Sequence, residues 1–228
     1  MRVLGILLMS LLITIPSMGQ KKKDKAAEVF EGTITYSISI EGMEGMEEAM
    51  AMLPESMRSV YIKSRDGKSI FSVMGTSKMY YDKDNKNEMI VGIDLTMLGL
   101  GSFCIPTPID DNLSTKVEYS KETKKILGYK ASKVIITDSI EFWVSKDYYL
   151  NFPIQSAMYY LPLEFDVESN GMTIHLIAKE ISFDKPAKED VEVPADCQRT
   201  TMEDFQVIME EMQEGLMPEE DLDLEEDE

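Results

Sequence analysis

One side chain in this 228-residue chain titrates near neutrality unaided, His175, and a Ser–His–Asp or Cys–His mechanism would have to use it. It lies in a run where Met172, Ile174, Leu176 and Ala178 alternate with Thr173, His175, Ile177 and Lys179. No nucleophile elbow or other local signature accompanies it, so it reads as a half-exposed strand residue on the more polar face, not as a catalytic base. Metal ligation is no better served, because zinc needs three or four Cys or His ligands and no such cluster exists. Asp82, Asp84 and Glu88 resemble a calcium loop, yet Asn87 stands where the glycine is required and Ile93 where the glutamate is required. A hairpin turn is the better reading. Gly99 and Gly101 are followed by no Lys-Ser/Thr and form no phosphate loop. No cofactor and no enzymatic activity are expected.

What remains is apolar chemistry. The chain holds 18 methionines, and Met43, Met46, Met50, Met52 and Met57 crowd one segment. Methionine is flexible and polarisable, so a surface lined with it adapts to apolar partners of different shape. Met43, Met46, Met50, Leu53 and Met57 recur at spacings of three and four with Glu44, Glu47 and Glu48 between them, which predicts a short amphipathic helix ending near Pro54. Such a face either fills a core or forms a lid over an apolar groove. On the second reading Met46, Met50, Leu53, Met57 and Trp143 are the candidate ligand-binding residues.

The surrounding elements read as strands. From Phe30 to Ile40 apolar and polar residues alternate, the pattern of a strand with one buried face. Asp66-Gly67 separates 60–64 from 69–74, and the 83–87 cluster separates 78–81 from 88–93, which makes two successive hairpins. Residues 95–112, rich in Gly and Pro, read as a long loop carrying Cys104. Strand signals resume at 116–119, 125–127, 131–137 and 140–145, and again at 163–168 and 172–183 across Ser169-Asn170-Gly171. Around ten strands are expected, in one domain over 29–200.

The two ends differ from this body. Arg2, the apolar run from Val3 to Ile15 and the small residues through Gly19 read as a signal peptide (1–19) cleaved after Gly19, with an uncleaved anchor as the alternative. The run is shorter than the roughly 20 apolar residues a membrane span needs. A polar leader occupies 20–28. From Thr201 to Glu228 there are 13 acidic residues and no basic one, against 29 acids and 22 bases in the rest of the mature chain. This surface repels DNA and RNA, whose binding rests on Lys and Arg. Met202, Phe205, Met209, Met212 and Leu216 predict an acidic amphipathic helix over 201–217, capped by Thr201, followed by a disordered tail, 218–228. Its apolar seam could dock a basic envelope partner. Cys104 and Cys197 either pair in an oxidising compartment or remain buried thiols.

The stretches Thr123 to Lys133, Glu141 to Ser145, Leu161 to Glu164 and Met172 to Ser182 together resemble an uncharacterised family of exported Bacteroidota proteins with a domain of unknown function. That family is similar to the LolA-like lipoprotein carriers. The resemblance spans Phe30 to about Pro194, and departs at Ala131, where members often carry cysteine. It implies a mainly β (α+β) half-barrel, a curved antiparallel sheet whose concave apolar face is covered by short helices and holds an acyl chain or other lipid-like group. The expectation is thus a periplasmic or secreted, non-enzymatic binding protein, with an envelope scaffold as the alternative.

Overall fold

The computed structural model describes residues 27–41, 58–85, 87–109, 116–136, 140–154, 158–169 and 172–216, with Met52 and Pro54. The proposed signal peptide, the acidic tail and nearly all of the Met-rich stretch lie outside them.

The described chain is mainly β, a large, curved, unclosed sheet built almost wholly of antiparallel strands. Its strands are β1 (Glu28–Val29), β2 (Gly32–Glu41), β3 (Val60–Arg65), β4 (Lys68–Val73), β5 (Ser77–Asp82), β6 (Glu88–Asp94), β7 (Ser102–Pro108), β8 (Val117–Ile126), β9 (Tyr129–Ile136), β10 (Ile140–Ile154), β11 (Met158–Ser169), β12 (Met172–Ser182) and β13 (Gln198–Arg199). A helix, α1 (Met202–Leu216), ends the described chain. The hydrogen-bonded order is β13-β7-β6-β5-β4-β3-β2-β12-β11-β10-β9-β8, with β1 joining β10 in parallel.

Local chemistry explains much of this. The β3–β4 hairpin turns at Asp66 and Gly67, both with positive φ (52° and 83°), the geometry whose twist matches flanking strands. Thr201 caps α1 by accepting the Asp204 amide on Oγ1 (3.1 Å) and donating to Asp204 Oδ2 (2.9 Å).

The described residues form thirteen strands where about ten were expected. Part of the difference is β7, which carries Cys104 inside what reads as a loop. Its prolines, Pro106 and Pro108, sit on the margin of the sheet, beyond the two residues of β13, where no neighbouring strand needs their missing N–H. The signals at 116–119 and 125–127 belong to the single strand β8, whose register shifts between Tyr119 and Thr123, while Leu127 lies in the following turn.

Curvature is visible in contacts between strands far apart in the order. β10 touches β4 and β5 although four strands separate it from β4. Phe165 on β11 faces Phe71 on β4 at 6.3 Å, Tyr36 at 5.5 Å and Phe142, stacked, at 5.3 Å. These rings, with Ile34, Ile62, Val134 and Leu163, form the core on the concave side. A smaller cluster, Ile70, Tyr80, Ile90 and Cys104, occupies the other face and is covered by Val191 and Cys197 from the strap that returns after β12. The pleat explains the split, because Phe71 pairs with Met79 and Ile70 with Tyr80, placing the two pairs on opposite faces.

Candidate ligand-binding hollow

The concave face is not filled everywhere. At one end Ile38 and Ile40 of β2, Val60 of β3, Phe71 and Val73 of β4, Met79 of β5, Ile174 and Leu176 of β12 and the turn residue Met74 enclose a hollow of about 100 Å³. The floor is made of cross-strand pairs, Ile38 with Leu176, Ile40 with Ile174 and Val60 with Val73. The surface facing the hollow is entirely apolar. A cavity without polar partners does not hold water, so it takes apolar groups or stays empty. On the hollow's lining strands, β2 runs out at Glu41 just beyond Ile40, and β3 begins at Val60.

Of the candidate ligand-binding residues, Met46, Met50, Leu53 and Met57 lie outside the described residues; their neighbour Met52 is 87% exposed. Trp143 does not line the hollow. Register puts Phe142 in line with Phe165, Leu176 and Ile38, and Trp143 in line with Glu164, Ile177 and Ser37, so Trp143 belongs to the opposite face. There Lys124 Nζ lies 4.2 Å above its ring and bonds Glu164 at 2.5 Å, a cation–π contact that uses the indole in the fold.

His175 belongs to the same outer face. Its Nδ1 meets Asp166 Oδ1, and its Nε2 lies 3.9 Å from Glu164 Oε1. Register also sets Ser39 beside it, completing a Ser39–His175–Asp166 row across β2, β12 and β11. The serine and histidine side chains share no hydrogen bond among those of the described residues. The row lies on the pleated sheet, where backbone N–H groups serve the strand ladders and are not free to stabilise an oxyanion. Among the described residues no group of three or more His, Cys, Asp and Glu could hold a metal ion. Asp82, Asp84 and Glu88 serve their turn, with Asp82 Oδ1 accepting the Asp84 amide (3.0 Å) and Glu88 Oε1 accepting from Asn85 Nδ2 (3.0 Å).

Ionic contacts hold the strap to the outer face. Lys185 reaches Asp66 (2.7 Å) and Glu31 (3.1 Å), and Lys68 reaches Glu192 (2.8 Å). Hydrogen bonds from Lys185 and Arg65 hold Asp66 below its usual carboxylate range; the Asp66 backbone amide, followed by Lys185, does the same for Glu31. Burial under the strap pushes the Tyr80 phenol up to about 12. Cys104 and Cys197 are bonded, with Cα atoms 5.7 Å apart.

The fold and its hollow therefore define an open, mainly antiparallel β protein with an apolar recess on the concave side. No family model and no curated protein matches the chain. Among solved structures it is similar to two crystal forms of PNGF-II, with TM-scores of 0.49 and 0.48 at 16% and 14% identity. These likenesses cover 77% and 78% of this chain, which spans about a third (32%) of the length of each.

Proposed function

We propose that this chain is an exported, non-enzymatic binding protein that holds a hydrophobic, lipid-like group in the hollow of a LolA-like half-barrel, in the periplasm or outside the cell. The observation that carries the reading is the recess of about 100 Å³ walled only by Ile, Val, Leu, Met and Phe. Its volume is below the roughly 300–1,000 Å³ of sites that engulf a drug-sized molecule, so it suits the end of an apolar chain with the polar head outside. Adaptable methionines at the rim, Met74 and Met79, fit a ligand without fixed shape.

Native mass spectrometry of the protein purified from its own host tests this directly, and a co-purifying lipid is the expected result. In titrations with a fluorescent fatty acid, Ile174→Phe, which fills the recess, weakens binding at least about tenfold, or 1.4 kcal/mol. A ligand-free mass together with probe binding unchanged in Ile174→Phe rejects the reading.

A second reading, an envelope scaffold that docks a basic partner through its acidic helix, is favoured by α1. Phe205, Ile208, Met209 and Met212 are half-buried, whereas Met202 (44%) and Val207 (52%) are exposed among Glu203, Asp204, Glu210 and Glu211. Met202, expected in the apolar seam, is thus outside it, and Ile208 takes its place. Deleting 201–228 tests it: a protein partner lost with lipid retained identifies α1 as the docking element, and a partner retained rejects it.

A further inference from the structure

We propose that the Cys104–Cys197 disulfide is a redox-dependent fastener that holds β13 and the acidic helix α1 to the sheet margin, while the rest of the fold stands without it. The chain after β12 is attached in two different ways. Its first part is held by groups indifferent to redox state. Arg65 Nη1 donates to the Pro186 carbonyl (2.8 Å), Lys185 pairs with Asp66, Lys63 with Asp190 (3.0 Å) and Lys68 with Glu192, and Val191 is buried against Ile70, Tyr80 and Ile90.

Among the described residues the second part, from Cys197 onward, has few ties besides the disulfide and the half-buried face of α1 formed by Phe205, Ile208, Met209 and Met212. β13 contributes two exposed residues paired in parallel with Phe103 and Cys104. Thr200 N donates to the Cys104 carbonyl (3.1 Å), and Phe205 meets Phe103 edge-on at 5.5 Å. Among the described residues no ion pair joins α1 to the sheet. A two-residue parallel ladder and one ring pair are weak anchors. A helix of 15 residues is marginal alone in water, and this one carries acidic charge without a basic residue in its last turn.

The exchange chemistry has a direction. Cys104 is fully buried and Cys197 is half-exposed, so a thiolate of a dithiol reductant attacks Cys197 Sγ. The S–S bond breaks, a mixed disulfide forms on Cys197, and the Cys104 thiolate leaves and takes up a proton. The reductant's second thiolate then displaces Cys197, which is protonated in turn, so two electrons pass to the pair and the reductant ends as a disulfide. A disulfide donor in an oxidising compartment runs the sequence backwards. The reduced state releases β13, with Arg199, together with α1, whose segment 201–228 carries 13 acidic residues and no basic one, and uncovers Phe103 and the β7 margin. The hollow, on β2–β5 and β12, lies on the opposite face of the sheet from the break.

Hydrogen-exchange mass spectrometry on the purified full chain tests this, comparing the oxidised protein, the same protein after a phosphine reductant, and Cys197→Ser. Amides of 202–216 are expected to exchange at least about tenfold faster in both altered states, while β2–β5 and β12 change less than about twofold. Unchanged helix protection after verified reduction overturns the proposal. Equal loss across helix and sheet also overturns it, since the bond would then support the whole fold.

Discussion

Replacing Leu176 by alanine probes whether the floor of the hollow is packed as the structure has it. Leu176 is 2% exposed, sits between Phe165 and Ile38 in register, and lies on β12, which is hydrogen-bonded on both sides by β11 and β2. Strands tied on both sides cannot close over a gap, so the cost belongs in the middle to upper part of the Leu→Ala range, about 3–4 kcal/mol. For a domain of this size each kcal/mol moves Tm by roughly 2–4 °C, so a fall of roughly 6–16 °C is expected. Urea unfolding of ligand-stripped protein should show a lower midpoint with an unchanged slope, the mark of lost stability in an intact native state. On the proposed binding function, saturating fluorescent fatty acid should then recover part of the loss, because a ligand that binds only the folded state stabilises it. A loss below about 1 kcal/mol in stripped protein would refute the packing argument.

Gly32 has φ 149°, and a Cβ there would stand 2.1 Å from the Ser182 carbonyl oxygen, so Gly32→Ala should cost at least about 2 kcal/mol by thermal unfolding; a Tm within error of the parent contradicts that clash. The folded-state pKa values of Glu31 and Asp66 lie below their unfolded values, so their contribution is complete above the ordinary carboxylate range and fades as pH falls through the lower, folded values. Asp66→Asn should therefore shrink the stability lost on acidification below about pH 4, and an acid limb identical to the parent's would show that the Lys185 contacts contribute nothing.

Several elements are legible in the residues alone because their causes are local. The alternation along Phe30 to Ile40 specifies a one-faced strand, Asp66-Gly67 a tight two-residue hairpin turn, and Thr201 with Asp204 a helix start. Mainly β architecture follows from such signals. Alternation, however, says which residues share a face and not which face lies inside. Trp143 and Phe142 are neighbours of equal apolar appeal, and the pairing of β10 with β11, β11 with β12 and β12 with β2 decides that Phe142 enters the core while Trp143 lies under Lys124. The same holds for β7, whose prolines are tolerated through its place near the sheet margin, and for Cys104 and Cys197, brought together across 93 residues of sequence. The hollow is the furthest from sequence, since it exists through curvature that brings β2–β5 and β12 around one space, and curvature is a property of the assembled sheet.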